Sequence, residues 1–576
     1  MATTEKYCFS KERPWEKFYT KEQLEMPVPE CSVYGFLRDF NKDWYHIDAL
    51  NYFDKTCTFG ELIDNIEKAA SVFAKAGIKE GDMVSLCALT TPETVTVFYA
   101  LNKLGAVSNI IEPRTNVSRI QQHINNVHSR VLIVLDVFVG KINEILSQLP
   151  EVEKIIILPL SRSMPFATKL GFKLTKGRKL PKPAADSRYI YWDKFLADYD
   201  GTLVPDLPYK KDRPAVIIYT GGTTGVPKGA VLSNDCFVTL SIEILGSGIE
   251  YDPGETFLNI MPPFIAYGIC GGLNMHLSIG LTNILIPAFE PEKFGDYILK
   301  YKPNHVMGVP AHYEQLTYDS RFDGVDLSCI HDAATGGDFM SAGTEQRINE
   351  FFRSHNNEHF VMRGYGMTEL GSVAAMSSDA AVGPGSVGIP MCKTVMTVRD
   401  PETREELGPN EHGEIYACTP AMMLGYYNNP EEDAKVFWTD EEGKRWIKTG
   451  DIGYMDEEGF VYLIGRVKRM IVRPDGHNTW PSQMEAMASQ FEGVKEVVVV
   501  GLKNPKGENG RMPTAFIIPT DEEHHTGAFL QELRAYMEKN LPGRDVPFAY
   551  RFIDEMPLTP IGKVDYRKLE EIPYED

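Results

Sequence analysis

Residues 219–229 read YTGGTTGVPKG, and this stretch decides the fold because of its composition and of what flanks it. The apolar run Ala215–Tyr219 precedes it and the shorter run Ala230–Leu232 follows it, which predicts a loop between two buried strands. Glycines let the backbone approach a ligand, threonine hydroxyls donate hydrogen bonds, and Lys228 adds a positive charge. The lysine follows proline and precedes glycine, so this is not a Walker A loop. The stretch predicts a polyphosphate site of another kind.

Short apolar runs alternate with helical patterns outside this loop. Thr58 and Glu61 form a capping box before a helical run that Gly77 ends, and a second helix is predicted from Thr91 to about Gly105. Buried strands are predicted from the apolar runs Val131–Val139, Lys154–Leu160, Asn283–Pro287 and His305–Pro310. This alternation predicts an α/β fold with doubly wound, mostly parallel sheets.

The C-terminal part of the chain repeats the pattern on a smaller scale. Val497–Leu502 and Ala515–Pro519 are predicted strands, and Gly527–Asn540 is a predicted amphipathic helix. The charged stretch Gly465–Arg469 precedes this part. We therefore expect a large, multi-subdomain N-terminal region at 1–465, a hinge at 466–468 and a small, mobile C-terminal α/β domain at 469–576.

Composition narrows the classes of function. The 576-residue chain has a formal net charge of −21, which disfavours binding to nucleic acid because the phosphate backbone would be repelled. The nine cysteines are scattered without metal-binding spacing, which indicates reduced thiols. The N-terminus lacks the apolar core of a secretory signal, and no apolar run reaches the roughly 18 residues of a membrane span. We expect a cytoplasmic protein.

One segment is strongly basic, although the chain as a whole is acidic. Residues 155–185 contain no acidic residue and seven basic ones: Arg162, Lys169, Lys173, Lys176, Arg178, Lys179 and Lys182. Phe166, Leu170, Phe172 and Leu174 lie among them. Such a segment is typical either of a solvated loop insertion or of a surface that touches an anionic membrane or an acidic substrate.

The glycine-rich stretch resembles the phosphate-binding signature of the adenylate-forming superfamily, which includes acyl-CoA synthetases, peptide-synthetase adenylation domains and beetle luciferases. Gly221 stands where serine is commoner, which removes one hydroxyl. The resemblance assigns to the phosphates of ATP the residues Thr220, Gly221, Gly222, Thr223, Thr224, Gly225 and Lys228. Thr223 and Lys228 are expected to act directly on the reacting phosphates.

Further motifs follow in the family's order and extend the resemblance from Thr58 to Leu569. Residues 364–369, GYGMTE, resemble the adenine and magnesium motif. Tyr365 would face the base, and Glu369 would offer a carboxylate, a ligand type that Mg²⁺ prefers. The same motif implies nucleotide contacts at Gly364, Gly366 and Thr368. Residues 335–338 resemble the small-residue segment between the adenine and the acyl pocket, and they comprise Thr335, Gly336, Gly337 and Asp338.

The remaining motifs lie near the predicted hinge and the C-terminus. Asp451, in a TGD triplet, resembles the ribose ligand, and its carboxylate can accept hydrogen bonds from both vicinal hydroxyls. Arg466 is implied to contact the nucleotide and Lys468 to be the hinge residue. Gly476 begins GHNTWP, which resembles the loop lining the pantetheine tunnel, although residues 474–475 add one residue to the usual spacing. Lys563 resembles the mobile lysine that stabilises the charge gathered during adenylation.

The predicted acyl pocket departs from the pattern of many relatives. Its motif contributes Phe264, Ile265 and Tyr267, and Thr335 also lines it. Ile265 occupies the position where many relatives carry histidine, so the usual aromatic gate is not expected. No aspartate in this segment suits an α-ammonium group, which argues against amino-acid substrates.

The resemblance implies an ATP-dependent, AMP-forming carboxylic acid–CoA ligase that uses ATP, Mg²⁺ and coenzyme A. The apolar pocket favours a fatty or other hydrophobic acid. Two other classes stay open: an adenylating enzyme that passes the acyl group to a carrier protein or another acceptor, and a non-catalytic nucleotide-binding module. The second is disfavoured because the expected functional side chains are present: Lys228, Glu369, Asp451, Arg466 and Lys563.

Overall fold

The computed structural model describes residues 7–220, 227–504, 510–557 and 564–574. The two predicted helices near the N-terminus are confirmed as Phe59–Lys75 and Pro92–Lys103. Thr58 caps the first, because its hydroxyl accepts from the Glu61 amide while the Glu61 carboxylate accepts from the Thr58 amide. Gly77 follows the helix with φ +89°, a conformation that favours glycine.

One sheet contains eight strands in the described part of the chain. In spatial order they are Gly425–Tyr426, Lys228–Ser233, Pro214–Thr220, Val107–Ile110, Met83–Cys87, Val131–Leu135, Lys154–Leu158 and Tyr189–Tyr191. The first three strands pair antiparallel with one another in this order, and those from Pro214–Thr220 onward pair parallel. The predicted run Val131–Val139 is a strand only to Leu135, and a helix begins at Val139.

A second sheet contains nine strands within the same described ranges. Their spatial order is Ile389–Pro390, Ala375–Met376, Val361–Tyr365, Asp332–Thr335, His305–Gly308, Thr256–Asn259, Thr282–Leu285, Asp48–Tyr52 and Lys55–Thr58. The strands from Val361–Tyr365 to Asp48–Tyr52 pair parallel. The predicted mostly parallel α/β architecture is therefore confirmed for both large sheets. Because parallel strands end at a common edge, Gly308, Thr335 and Tyr365 are brought close together.

Three smaller sheets complete the described structure. One, which the sequence analysis did not predict, is antiparallel throughout and comprises Val395–Arg399, Gly413–Cys418, Arg445–Met455, Phe437–Thr439 and Val461–Arg466. Near the C-terminus Val494–Lys503, Arg511–Pro519 and Ala549–Phe552 form another. The C-terminal strands and the helix Gly527–Asn540 match the predicted pattern. The third is a two-stranded hairpin, Ile471–Val472 with Asn478–Thr479, which lies between the other two in sequence.

Helices cover the sheets. The α-helices not yet given are Phe9–Glu12, Lys21–Glu25, Val33–Phe40, Val117–Asn126, Val139–Ile145, Phe166–Leu174, Trp192–Leu196, Asn234–Leu245, His276–Ser278, Phe294–Tyr301, Pro310–Leu316, Ala342–Ser354, Pro430–Val436, Pro481–Ala488 and Tyr566–Glu570. Residues Tyr267–Met275 form a π-helix, a rare form that is common at functional sites. Among the described residues, no helix is long and apolar enough to cross a bilayer.

The cores of the two ends of the chain are separate clusters. The largest cluster gathers apolar side chains from residues 9 to 461, including the buried Trp15, Trp192 and Trp446. A C-terminal cluster packs Phe529 and Leu533 of one helix against other apolar side chains from residues 471 to 552. The nine cysteines are reduced and form no disulfide bond among the described residues, as predicted.

Among the described residues, the carboxyl group with the smallest exposed fraction lies in the large region. Glu243, on helix Asn234–Leu245, is fully buried, and its Oε1 accepts a hydrogen bond from the Thr394 hydroxyl at 2.7 Å. Its Oε2 has no partner among the described residues. Burial raises the pKa of Glu243 to about 8, while the hydrogen bond from Thr394 opposes that change.

Candidate active site

The glycine-rich loop joins two antiparallel strands, as predicted. Thr220 ends the strand Pro214–Thr220, and Lys228 begins Lys228–Ser233 directly opposite it. The Thr220 hydroxyl donates to the Lys228 carbonyl at 3.5 Å, at the base of the loop. Five predicted phosphate-binding residues lie outside the described residues: Gly221, Gly222, Thr223, Thr224 and Gly225.

Lys228 is held by two side chains that the sequence analysis did not select. Its Nζ lies 2.5 Å from Oε2 of Glu432 and 4.8 Å from the centroid of the Tyr426 ring. Hydrogen bonds from Lys228 and then Lys435 lower the pKa of Glu432 to about 2. The Lys228 ammonium is therefore paired with Glu432, whose charge partly neutralises it.

Glu369 is buried beside the same tyrosine. The Tyr426 hydroxyl donates to Glu369 Oε1 at 2.5 Å, and the Glu369 backbone carbonyl accepts from the Met423 amide. Burial, and then the Glu369 charge, raises the pKa of the Tyr426 hydroxyl, which therefore stays a donor. Tyr426 thus links the predicted phosphate lysine to the predicted magnesium ligand, and the Glu369 carboxylate is the hard oxygen donor that Mg²⁺ prefers.

The predicted adenine, ribose and nucleotide residues form one connected group. The Tyr365 hydroxyl donates to Asp451 Oδ2 at 2.6 Å, and Arg466 Nε lies 2.8 Å from Asp451 Oδ1. Asp451 and Arg466 are direct partners on neighbouring antiparallel strands. Burial raises the pKa of Asp451, whereas the Arg466 charge and the Tyr365 hydrogen bond lower it. Asp451 already accepts hydrogen bonds in the way a ribose ligand must.

The small-residue segment lies against the adenine motif. The Gly336 amide donates to the Gly308 carbonyl at 3.2 Å, and a Cβ at Gly336 would come within 3.0 Å of the Gly364 carbonyl oxygen. Gly337 has φ +79°. Thr335 Oγ1 is buried without a hydrogen-bond partner in the described part of the chain. This hydroxyl is therefore available to a ligand at the strand ends.

The predicted acyl-pocket motif leads into the π-helix and meets this segment. The Tyr267 hydroxyl donates to the Gly308 carbonyl at 3.0 Å, and its oxygen would lie 3.8 Å from a Cβ at Gly336. Phe264 and Ile265 precede the helix and are partly buried. Gly268 is required here, because a Cβ would lie 1.8 Å from the Pro262 carbonyl oxygen. The apolar motif and the small-residue segment are thus adjacent.

Glycines in the GYGMTE motif keep the backbone tight. A Cβ at Gly366 would lie 1.5 Å from the Ser372 carbonyl oxygen, so any larger residue must displace backbone. Thr368 begins the short 3₁₀ helix Thr368–Leu370, which contains Glu369. Close backbone packing therefore fixes the position of the carboxylate.

Of the remaining predicted residues, Gly476 and Asp338 have no hydrogen bond or ion pair to this group among the described residues. Gly476 has φ +80° in the turn of the hairpin near residue 475, and a Cβ there would meet no atom within 4 Å. Asp338 accepts from the Phe339 amide. Lys468 lies in the turn Val467–Arg469, directly after the strand that carries Arg466. Lys563 lies outside the described residues.

Sequence reasoning missed Tyr426 and Glu432 because nothing local marks them as partners of Glu369 and Lys228. The signal that could have found them is the string GYYNNPE at 425–431, followed by Glu432. Pro430 opens a helix, and Asn429 caps it by accepting from the Glu432 amide, which places Glu432 in the first turn.

Known proteins share both the sequence and the fold of this chain. The sequence model of the family described as AMP-binding enzyme matches residues 38–427, and that of the AMP-binding enzyme C-terminal domain matches residues 483–563. A long-chain-fatty-acid–CoA ligase of Bacillus subtilis (strain 168) is 29% identical over 97% of this chain and 98% of its own. A probable 4-coumarate–CoA ligase 1 of Dictyostelium discoideum is 30% identical over 87% of each chain.

Among solved structures, ATP-bound MatB from Rhodopseudomonas palustris superposes with a TM-score of 0.78 at 22% sequence identity, covering 94% of this chain and 98% of that one. At this identity the likeness shows the shared fold. The predicted adenylate-forming fold is therefore confirmed. The family uses ATP, Mg²⁺ and coenzyme A, and the buried Glu369 carboxylate and unpaired Thr335 hydroxyl fit such ligands. On its sequence match, its fold and its converging site residues, the chain belongs to the AMP-binding enzyme family and is an AMP-forming acyl-CoA synthetase.

Proposed function

We propose that the enzyme activates a fatty or other hydrophobic carboxylic acid and transfers the acyl group to coenzyme A. In the first half-reaction a carboxylate oxygen of the acid attacks the α-phosphorus of ATP, and the bond to pyrophosphate breaks. In the second, the thiol sulfur of coenzyme A attacks the acyl carbon, AMP leaves, and the thiol proton passes to solvent. The products are acyl-CoA, AMP and pyrophosphate.

The observation that carries the proposal is the convergence of Tyr365, Asp451 and Arg466 with the small-residue segment at one edge of the second sheet. Tyr365 presents an aromatic side chain, and Asp451 presents a carboxylate to the ribose hydroxyls. Lys228 would hold the leaving phosphates with Thr223 and Thr224, since an ammonium stabilises the charge that collects on pyrophosphate. Arg466 would move from Asp451 to the nucleotide.

Glu369 would hold Mg²⁺, which neutralises phosphate charge when it is bound. The protein's own contribution is to fix that carboxylate. Tyr426 donates to one of its oxygens, and the tight turn at Gly366 fixes the backbone beside it. Both contacts reduce the freedom of Glu369 before the substrate arrives.

The domain division remains part of the proposal. Residues 1–465 would bind ATP and the acid, and residues 469–576 would turn about the hinge 466–468, with Lys468 as the residue whose torsions change. Adenylation would place Lys563 at the reacting carboxylate and α-phosphate. The turn would then withdraw it and bring the Gly476 loop to the thiol. A few torsions at a short connection suffice for such a closure.

A hydrophobic acid is favoured by the side chains next to the nucleotide residues. Phe264, Ile265 and Tyr267 supply apolar surface, and Gly336 leaves room beside them. The Bacillus subtilis relative is named for long-chain fatty acids and the Dictyostelium relative for 4-coumarate, both of which are largely apolar. The Thr335 hydroxyl, which has no partner among the described residues, would be a polar group near the reacting carboxylate.

The deciding experiment supplies purified enzyme with ATP, Mg²⁺, CoA and matched panels of fatty, aromatic and short acids. We expect pyrophosphate, AMP and thioester in equal amounts, with the highest kcat/KM for hydrophobic acids. Release of ADP, or no reaction with any acid, would overturn the proposal. Adenylate formation without thioester would instead favour transfer to a carrier protein or another acceptor.

Lys563→Ala tests the assigned roles separately. Adenylation should slow by at least about 10²-fold, the scale of losing one preorganised electrostatic contact. Conversion of supplied acyl-adenylate to thioester should change little, because Lys563 acts only in the first half-reaction. Equal losses in both half-reactions would contradict the role.

We also propose that the basic segment 155–185 docks on an anionic membrane. Its helix Phe166–Leu174 places Phe166, Leu170 and Leu174 four residues apart on one face, and their exposed fractions are 83%, 47% and 53%. Neighbouring cations are Lys169, Lys173, Lys176, Arg178 and Lys179. An exposed apolar stripe flanked by cations is the pattern of an interfacial helix.

Vesicle sedimentation tests this second proposal. Phe166→Ser with Leu170→Ser should reduce binding to phosphatidylglycerol vesicles and reduce activity on long acyl chains delivered from them. Activity on short soluble acids should be retained. Leu203→Ser, an exposed leucine outside the segment, is the matched control. Unchanged vesicle binding, or equal losses for long and short acids, would favour a solvated loop insertion.

A further inference from the structure

Two histidines and a glutamate meet at the edge of the second sheet opposite the nucleotide residues. Glu255 directly precedes the strand Thr256–Asn259, His305 begins His305–Gly308, and His331 directly precedes Asp332–Thr335. These strands are parallel, so all three residues lie at their amino ends, whereas Thr335 lies at a carboxyl end. A four-residue strand separates the two edges by about 10 Å.

We propose that Glu255, His305 and His331 form a binding site for a divalent transition metal ion such as Zn²⁺. Glu255 Oε2 lies 2.9 Å from His305 Nε2, and Glu255 Oε1 lies 2.8 Å from His331 Nδ1. One ligand atom from each residue lies within 4.8 Å of the others. Imidazole nitrogen and carboxylate oxygen are ligands that Zn²⁺ prefers.

The spacing suits such an ion after small side-chain adjustments. Tetrahedral bonds of about 2.0–2.1 Å place neighbouring ligand atoms about 3.4 Å apart, so the present contacts must open or close by roughly 1 Å. His305 is fully buried and Glu255 is mostly buried, which fixes two ligands. The His331 side chain is 42% exposed, so an ion can enter from solvent and water can complete its coordination.

Two unpaired atoms behind the cluster distinguish it from a simple pair of hydrogen bonds. His305 Nδ1 and Asp332 Oδ1 are both buried without a hydrogen-bond partner among the described residues. Asp332 is the cross-strand partner of His305. A histidine that binds a metal through one ring nitrogen commonly donates its other N–H to a carboxylate, which orients the ring. Metal at His305 Nε2 would place the ring proton on Nδ1, and the carboxylate of the cross-strand neighbour Asp332 could accept it after a side-chain adjustment, since the two groups are not hydrogen-bonded in the structure.

Other groups around the site leave the ligand set intact. The Asp252 amide donates to Glu255 Oε2 at 3.0 Å, which holds the carboxylate without occupying Oε1. The Tyr251 ring packs on His305 with centroids 4.8 Å apart. The Tyr251 hydroxyl donates to Asp332 Oδ2 at 3.4 Å, and Oδ1 of the same carboxylate is the atom without a partner among the described residues. These contacts orient both carboxylates, and none of them involves a lysine or an arginine.

Cobalt and zinc titrations of the full-length enzyme, freed of metal and without nucleotide, test the proposal. We expect one equivalent of Co²⁺ with visible d–d absorption of a low-symmetry nitrogen and oxygen site, displaced by Zn²⁺, and a higher unfolding temperature with Zn²⁺. His331→Gln should weaken binding by at least about 10-fold. Because His331 is partly exposed, this variant should fold, which circular dichroism checks.

His359→Gln is the matched control, since His359 is similarly exposed and also contacts a carboxylate, Asp379, at 2.7 Å. It should bind cobalt like the unchanged enzyme. The proposal is overturned if the enzyme takes up no cobalt, if His331→Gln binds as tightly as the unchanged enzyme, or if thiolate charge-transfer bands identify cysteine as the ligand. Binding is read without turnover, so these outcomes are independent of acid activation.

Discussion

Replacing the buried Glu243 by glutamine should make the stability of the enzyme less sensitive to alkaline pH. Burial raises the pKa of Glu243 from 4.5 to about 8, so the folded state binds this proton more tightly than the unfolded state. The stabilising contribution is therefore complete below pH 4.5 and is lost as the pH rises towards 8. Glutamine does not titrate and keeps an oxygen for the Thr394 hydroxyl.

The magnitude follows from the interval between the two pKa values. Each pH unit corresponds to about 1.4 kcal/mol, so the wild type should lose about 5 kcal/mol relative to Glu243→Gln between pH 4.5 and pH 8. Unfolding a region of roughly 460 residues has an entropy of about 1 kcal/mol per kelvin, which converts this loss to about 5 °C in Tm. The Tm of the variant should exceed that of the wild type increasingly from pH 5 to pH 8.5.

Scanning fluorimetry in a series of buffers of constant ionic strength measures the difference in Tm between the two proteins. Glu250→Gln, an exposed glutamate seven residues later, is the matched control and should follow the wild type. A difference between wild type and Glu243→Gln that stays constant from pH 5 to pH 8.5 would refute the reasoning. It would mean that Glu243 does not titrate within this range.

Three further predictions address the candidate active site. Glu432→Gln removes the anion that competes with ATP for Lys228. Because such a partly exposed ion pair is worth up to about 1 kcal/mol, the KM for ATP should fall about 2–5-fold, and the control Glu431→Gln should leave it unchanged. A raised KM would show that Glu432 instead positions Lys228. Tyr426→Phe removes the hydroxyl that donates to Glu369, so the Mg²⁺ concentration for half-maximal activity should rise about 10-fold. The control Tyr427→Phe should leave this concentration unchanged. If both variants need the same Mg²⁺ concentration, Tyr426 does not support Glu369 in this way. Gly366→Ala places a Cβ against the Ser372 carbonyl oxygen and should lower Tm by several degrees. In the control Gly343→Ala the nearest side-chain atom would lie 3.6 Å from the new Cβ, so Tm should not fall.

Local patterns in the sequence predicted the elements that carry their own signals. The capping box at Thr58 and the helix Gly527–Asn540 were located closely, because caps and amphipathic periodicity act over a few residues. The antiparallel sheet between Val395 and Arg466 was missed, since its strands are irregular in length and only the short α-helix Pro430–Val436 lies among them. The π-helix at Tyr267 was missed as well, because no local rule marks its extra residue per turn.

Within the site, motifs indicated which residues matter but not which of them touch. Tyr365 meets Asp451 across 86 positions in sequence, and Tyr426 meets Glu369 across 57. Only sheet topology brings such pairs together. The Glu255 cluster was invisible for the same reason, since His305 is 50 residues away and belongs to a different strand. Sequence motifs therefore identify the parts, and long-range pairing decides their assembly.

The ion pair between Arg466 and Asp451 has a consequence for the timing of catalysis. Arg466 is the last residue of its strand, and the connection to the C-terminal residues begins immediately after it. If Asp451 binds the ribose as proposed, the sugar would compete with the guanidinium for this carboxylate, and loss of the ion pair would free the strand end next to the proposed hinge. Departure of AMP would let the guanidinium return and clamp that end again. Dissociation of AMP and return of the hinge to its starting conformation would then occur in one step. If that step limits turnover, the rate would fall with increasing solvent viscosity even when the chemical steps are fast.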